Sequence, residues 1–141
     1  MSLSVETVAR FMTSSPVSVT SSCKLSEAHS LMKVMQFRHL PVVQNGQLVG
    51  VVSDRDVHLH NAFSGDHEEE MTVGEAMTPS PLSFLETSPL RDVAQRMAQL
   101  RCGSALIVNG AGQLTGIFTT VDACKALAVL CDEREAVAKA A

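Results

Sequence analysis

The chain has 141 residues, of which 45% are apolar and 18% charged, and its net charge is −4. This length suits one compact domain or two very small domains packed together. Its 11 basic residues are scattered, which argues against nucleic acid as a partner, and no apolar run approaches the roughly 18 residues of a membrane span.

The N-terminus MSLSVETVARF lacks the charged start and apolar core of a secretory signal, so we expect a cytoplasmic protein. The four cysteines show no CxxC spacing, and a chain of this size without a signal is a poor candidate for a disulfide framework. We therefore expect reduced thiols, mostly buried. The cysteines are Cys23, Cys102, Cys124 and Cys131.

The sequence contains two copies of one pattern. The run TVARFMTSSPVSV, residues 7–19, returns as TVGEAMTPSPLSF, residues 72–84, at an offset of 65. After a turn that is one residue longer in the second copy, GVVSDRD matches GIFTTVD at an offset of 66. A duplicated structure tolerates an insertion in a turn, so the copies predict a structural repeat.

The same elements are predicted in the same order in each copy. A short helix ends near Met12 or Met77, and after the proline comes a brief extended segment. An amphipathic helix then begins at Leu25 or Leu90, with apolar residues at helical spacing. Two strands joined by a Gly-containing turn follow, and a last helix closes the copy. The predicted strands are residues 17–19, 39–43, 48–53, 82–84, 104–108 and 114–119.

Each copy is therefore predicted to be a β-α-β-β-α unit, which gives an α+β fold with sheets packed against helices. A unit of about 60 residues with few aromatics buries a marginal core, whereas two facing copies share one, so we expect a single pseudo-twofold body. The polar run HLHNAFSGDHEEEMT, residues 58–72, is typical of a linker, and the C-terminal tail is either frayed or a contact helix. The predicted boundaries are 5–62 for the first unit, 63–71 for the linker, 72–131 for the second unit and 132–141 for the tail.

Three motifs in this order resemble the CBS domain, named from cystathionine beta-synthase, in its tandem arrangement. They are the M-T-x-x-P-V-x-V start, the H-L-P-V-V strand and the G-h-h-[ST]-x-x-D end, where h is apolar, and the resemblance runs from about residue 5 to residue 131. It implies a free-standing regulatory module without catalysis. Such a module binds AMP, ADP, ATP or S-adenosylmethionine between the copies and signals to an effector protein, here unknown, by a conformational change.

The resemblance also implies which residues touch the ligand. The [ST]-x-x-D motif would contact ribose and phosphate, through Ser53 and Asp56 in one site and Thr119 and Asp122 in the other. The adenine pocket would be lined by Val17, Val19, Leu40, Pro41, Leu82 and Phe84.

The residues themselves leave two interpretations of the Ser53 motif open. S-x-x-D before a helix is also a capping box, worth about 1 kcal/mol, and capping alone explains Ser53 and Asp56. In a ligand site, the aspartate would instead accept hydrogen bonds from a ribose diol, while the helix start and Arg55 would face a phosphate.

The two sites are predicted to differ in charge. Arg38 and His39 of the first copy correspond to Gly103 and Ser104 of the second, so a charged phosphate neighbourhood exists on one side only. We therefore include Arg38 and His39 among the candidate phosphate contacts.

Other features give weaker indications. His58, His60 and His67 with residues 68–70 form either a metal cluster or a solvated linker, and their spacing gives a metal little support. No nucleophile has a convincing base beside it, although an enzyme using these histidines is one alternative.

We expect a homodimer, because the helices after Ser53 and Thr119 carry apolar residues that one small body cannot bury. These residues are Val57, Leu59, Ala123, Leu127 and Leu130. A ligand-free structural or dimerisation module is the other alternative.

Overall fold

A computed structural model describes residues 5–64 and 71–140. Within these ranges the chain forms eight strands, five α-helices and a 3-10 turn at Val8–Arg10, which confirms the α+β class. The strands are β1 Thr13–Ser14, β2 Val19–Thr20, β3 His39–Gln44, β4 Gln47–Ser53, β5 Thr78–Pro79, β6 Ser83–Leu85, β7 Ser104–Val108 and β8 Leu114–Thr119. The helices are α1 Leu25–Met35, α2 Asp54–Ser64, α3 Val73–Ala76, α4 Leu90–Leu100 and α5 Thr120–Ala140.

The strands form two sheets that exchange their first strands between the copies. The orders are β2-β3-β4-β5 and β1-β8-β7-β6, so β1 of the first copy lies on the second sheet and β5 of the second copy lies on the first. Thr13 pairs with Ile117, and Thr78 pairs with Val51, both antiparallel. Each short strand thus covers the edge that its partner sheet would otherwise expose.

Two hydrophobic cores lie beneath these sheets, and each contains residues of both copies. Val8 packs in the core of the second copy, while Val73 packs in the core of the first. The exchange also brings Met12 over Gly116 and Met77 over Gly50, where a side chain on the glycine would collide with the methionine sulfur. The leading segments therefore tie the two copies into one body.

The helix and turn boundaries follow from local sequence. In α1 the buried residues are Leu25, Ala28 and Met32, and this spacing places them on one face of the helix. The β3–β4 hairpin turns at Asn45 and Gly46, whose φ values of 51° and 79° are those that an Asn-Gly hairpin turn requires.

Helix α2 is longer than the sequence predicts, and α5 takes the helical alternative that the sequence left open for the C-terminal run. Helix α2 continues through Ser64, so residues 58–64 are helical rather than part of a polar linker. Helix α5 continues to Ala140, and the Arg10 guanidinium pairs with Glu133 on it, which makes residues 132–140 an ordered helix and not a frayed tail. None of the described helices combines the length and apolar character that a membrane crossing needs.

Candidate functional site

The Ser53 motif forms a reciprocal capping box at the start of α2. The main-chain N–H of Asp56 donates to Ser53 Oγ at 3.0 Å, and the N–H of Ser53 donates to Asp56 Oδ2 at 2.8 Å. The other carboxylate oxygen, Oδ1, accepts from Thr78 Oγ1 at 3.5 Å, and this threonine belongs to β5 of the second copy. The capping interpretation therefore describes the contacts that Ser53 and Asp56 make with each other.

The Thr119 motif repeats this arrangement at the start of α5. Asp122 Oδ2 accepts from the N–H of Thr119 at 3.0 Å and from its hydroxyl at 3.1 Å. The N–H of Asp122 donates to Thr119 Oγ1 at 3.3 Å. Each of these hydrogen bonds to the carboxylate ends on Oδ2, which leaves Oδ1 of Asp122 able to accept from a ligand.

A cavity of about 440 Å³ lies between the two copies at the Thr119 motif. One wall is the loop after β1, another is the segment that joins α1 to β3, and the third is the end of β8 with the first turns of α5. The lining residues are Thr13, Ser15, Pro16, Val17, Gln36, Phe37, Arg38, His39, Pro41, Gly103, Ile117, Thr119, Thr120, Val121, Asp122 and Lys125. This volume falls within the roughly 300–1,000 Å³ of small-molecule sites.

The cavity joins basic residues of one copy to the acid motif of the other. Arg38 and His39 of the first copy line it together with Thr119 and Asp122 of the second. Ser53 and Asp56, the motif of the same copy as Arg38, lie outside this lining. Arg38 and His39 of the first copy therefore lie at the Thr119 motif of the second copy.

His39 is half-buried and lines the cavity, and β3 pairs it with Ser53 of β4. Its pKa lies below the usual value of 6.5, mainly because burial disfavours the charged ring. Asp56 partly opposes this lowering of the pKa, and Arg38 adds to it.

The six residues assigned to the adenine pocket lie in different surroundings. Val17 and Pro41 line the cavity. Leu40 is fully buried in the first core, and Val19 packs against that core. Leu82 and Phe84 pack against the second core.

The structure also brings residues to the cavity that the sequence did not single out. Lys125 lies three positions after Asp122 on α5, a spacing that places both on one helix face and could have identified it. Ser15 lines the cavity with a φ of 49°, in the left-handed region that non-glycine residues rarely adopt. Arg55, which the sequence predicts to face a phosphate, is exposed on α2 and is not among the residues that line this cavity.

Among the described residues, no group of three or more His, Cys, Asp or Glu side chains is placed to hold a metal ion. His58 and His60 lie in α2, and a ring nitrogen of His58 is 2.9 Å from the main-chain oxygen of Asp54. His67 and residues 68–70 lie outside the described residues. All four cysteines are free. Cys23 and Cys102 are only partly buried and Cys124 and Cys131 are exposed, so the expectation of mostly buried thiols was wrong.

Comparisons with known sequences identify one type of domain. A family model described as the CBS domain matches residues 8–59 and 73–129. The chain is 32% identical over 111 residues to the CBS domain-containing protein YhcV of Bacillus subtilis, which covers 79% of this chain and 78% of the relative. It is 28% identical over 119 residues to a zinc metalloprotease of Methanocaldococcus jannaschii, but spans only 31% of that protein.

Comparisons with solved structures agree. The Vibrio cholerae protein named AcuB superimposes with a TM-score of 0.84 at 28% identity, over 94% of this chain and 97% of that one. CBSX2 of Arabidopsis thaliana, solved in complex with AMP, superimposes with a TM-score of 0.81 at 29% identity, over 88% of this chain and 97% of that one.

Proposed function

The chain belongs to the CBS domain family, and from this premise we propose that it is a regulatory module that binds an adenosine-containing ligand in the cavity between its copies. The candidate ligands are AMP, ADP, ATP and S-adenosylmethionine. Binding shifts the population of conformations, and an effector protein reads that shift. The proposal assigns the module no catalytic step.

The observation that carries this proposal is the composition of the cavity wall. A carboxylate and a hydroxyl at a helix start, two basic side chains and an apolar surface all face one space of about 440 Å³. A small-molecule site is typically a largely apolar cleft in which a small number of polar groups converge.

Each part of the wall suits one part of an adenine nucleotide. Oδ1 of Asp122 accepts from the ribose diol, since the capping hydrogen bonds end on Oδ2. Arg38 and Lys125, with the N-terminal N–H groups of α5, attract the phosphate. Val17 and Pro41 offer apolar surface to the base. The complex of CBSX2 with AMP supports this choice of ligand class.

A thermal shift series tests the proposal. We expect AMP, ADP, ATP or S-adenosylmethionine to raise the melting temperature, because a ligand at 100 times its dissociation constant adds about 2.7 kcal/mol to the free energy of unfolding. Native mass spectrometry of the purified protein then identifies any nucleotide retained.

The matched variants are Asp122→Asn and Asp56→Asn. Both keep a side-chain acceptor for the helix cap, but only Asp122 lines the cavity. We expect Asp122→Asn to weaken ligand binding much more than Asp56→Asn does, because Asp56 acts on this cavity only through His39. A melting temperature unmoved by all four ligands at millimolar concentration would refute the proposal.

A second candidate is a ligand-free structural or dimerisation module. Both motif carboxylates bond their own main chain, and an apolar groove of about 530 Å³ lies between α4 and α5. Leu127 and Leu130 line this groove, and Leu127 is 65% exposed. The sequence predicts that Val57 contributes to a dimer surface. Val57 is instead fully buried in the first core, so this prediction was wrong.

Light scattering after size exclusion tests the homodimer that we propose at this groove. We expect Leu127→Glu to convert the dimer to a monomer, since a charge there would lose the apolar contact. Val34→Glu is the control, because Val34 is similarly exposed on a different helix. A monomeric wild-type protein at high concentration would refute the dimer.

A further inference from the structure

His39 occupies a position that connects the cavity to the second motif. The ring lines the cavity on one side, and its Cε1 lies beside Gly103, where an added Cβ would be 3.0 Å away. On the other side, Asp56 acts on the ring from the start of α2. A charge on His39 would therefore be felt inside the cavity.

The cavity lining carries less positive charge than a phosphate monoester carries negative charge. The charged groups that face the ring or share its cavity are Arg38, Asp56, Asp122 and Lys125. Within the lining, two cations and one carboxylate leave one net positive charge while His39 is neutral. A nucleotide monophosphate brings a charge of about −1.5 to −2 at pH 7.

Two nearby titratable groups are directed elsewhere. The thiol of Cys102 lies 3.9 Å from the main-chain oxygen of Leu100. Asp54 faces the two histidines of α1 and α2, His29 at 3.8 Å and His58 at 3.6 Å. None of these contacts involves His39.

We propose that His39 takes up a proton when a phosphate-bearing adenosine ligand enters the cavity, so that the site selects phosphorylated adenosine and binds it more tightly as pH falls. This inference rests on the proposed function and names its ligand class and its regulation. The ring is close enough to the cavity to respond to the ligand charge, and its protonation would give the lining a second net positive charge.

The direction of the pH effect follows from linkage. In the protein without ligand the pKa of His39 lies below 6.5, so the ring is neutral above pH 7. A bound phosphate favours the charged ring and raises this pKa. Affinity therefore rises as pH falls through the pKa of the complex and levels off below the pKa of the free protein. One linked proton changes affinity by at most about tenfold per pH unit.

Calorimetry of AMP binding between about pH 7 and pH 8 tests the inference, because the phosphate has its own second pKa near about 6 and changes charge little in this range. We expect the affinity for AMP to increase from pH 8 to pH 7, by less than about tenfold. Titrations at pH 7.5 in two buffers with different ionisation enthalpies measure the proton directly, and we expect uptake of a fraction of one proton. Adenosine, which lacks the phosphate, should bind without proton uptake.

The variants His39→Asn and His39→Gln supply the control, since both keep a polar side chain of similar size. In either variant we expect AMP binding without the pH effect and without proton uptake. AMP binding that takes up no proton in the wild type, or the same number in the folded variants, overturns the inference and leaves the proposed function standing. Failure of AMP, ADP, ATP and S-adenosylmethionine to bind overturns both.

Discussion

Val8→Ala tests the exchange of leading segments between the copies. Val8 is fully buried in the core of the second copy although it belongs to the first. Truncation removes two carbons, about 0.8 kcal/mol each, and leaves a cavity, so we expect a loss of about 2–3 kcal/mol in the free energy of unfolding. At about 2–4 °C per kcal/mol, the melting temperature should fall by about 5–10 °C.

Two double-mutant cycles, with the free energy of unfolding measured by urea denaturation, test which core Val8 packs in. Val93 lies in the same core as Val8, and Met32 lies in the core of the first copy. We expect Val8→Ala and Val93→Ala to couple by about 0.5 kcal/mol or more, whereas Val8→Ala and Met32→Ala should be additive. Coupling to Met32 without coupling to Val93 would refute the exchanged arrangement.

Three further predictions concern single contacts. Gly50→Ala should lower the melting temperature because the new Cβ would overlap the Met77 side chain. Adding Met77→Ala to this variant should restore part of the loss. An unchanged melting temperature in Gly50→Ala would contradict this contact. Thr119→Ala should cost about 1 kcal/mol in urea denaturation through loss of the α5 cap, and a neutral result would show that the cap does not stabilise the helix. Burial, with Glu27 adding to its effect, raises the pKa of the Cys23 thiol, so alkylation near pH 8 followed by peptide mapping should label the exposed Cys124 and Cys131 before Cys23.

The parts of the fold that could be predicted are those decided by near neighbours in the chain. The spacing of Leu25, Ala28 and Met32 identifies one face of α1, and Asn45 with Gly46 identifies a hairpin turn. The length of α2 could not be predicted, since its polar composition resembles a linker while its buried contact at Val57 is tertiary.

The candidate site divides in the same way. The hydroxyl–acid motifs were recognisable because capping boxes and helix starts are local signals. The sequence did not show that Arg38 and His39 face Thr119 and Asp122. This pairing depends on how the two copies face each other.

The amino-acid sequence alone determined that a β-α-β-β-α unit is repeated, roughly where six of the eight strands of the described residues lie, and which family it resembles. Periodicity and turn residues carry that information within each copy. Only the tertiary structure decided which sheet receives each leading strand and which basic residues share a cavity with which carboxylate. The physical reason is that both copies have the same apolar pattern, so either leading segment suits either core, and contacts between distant residues make the choice.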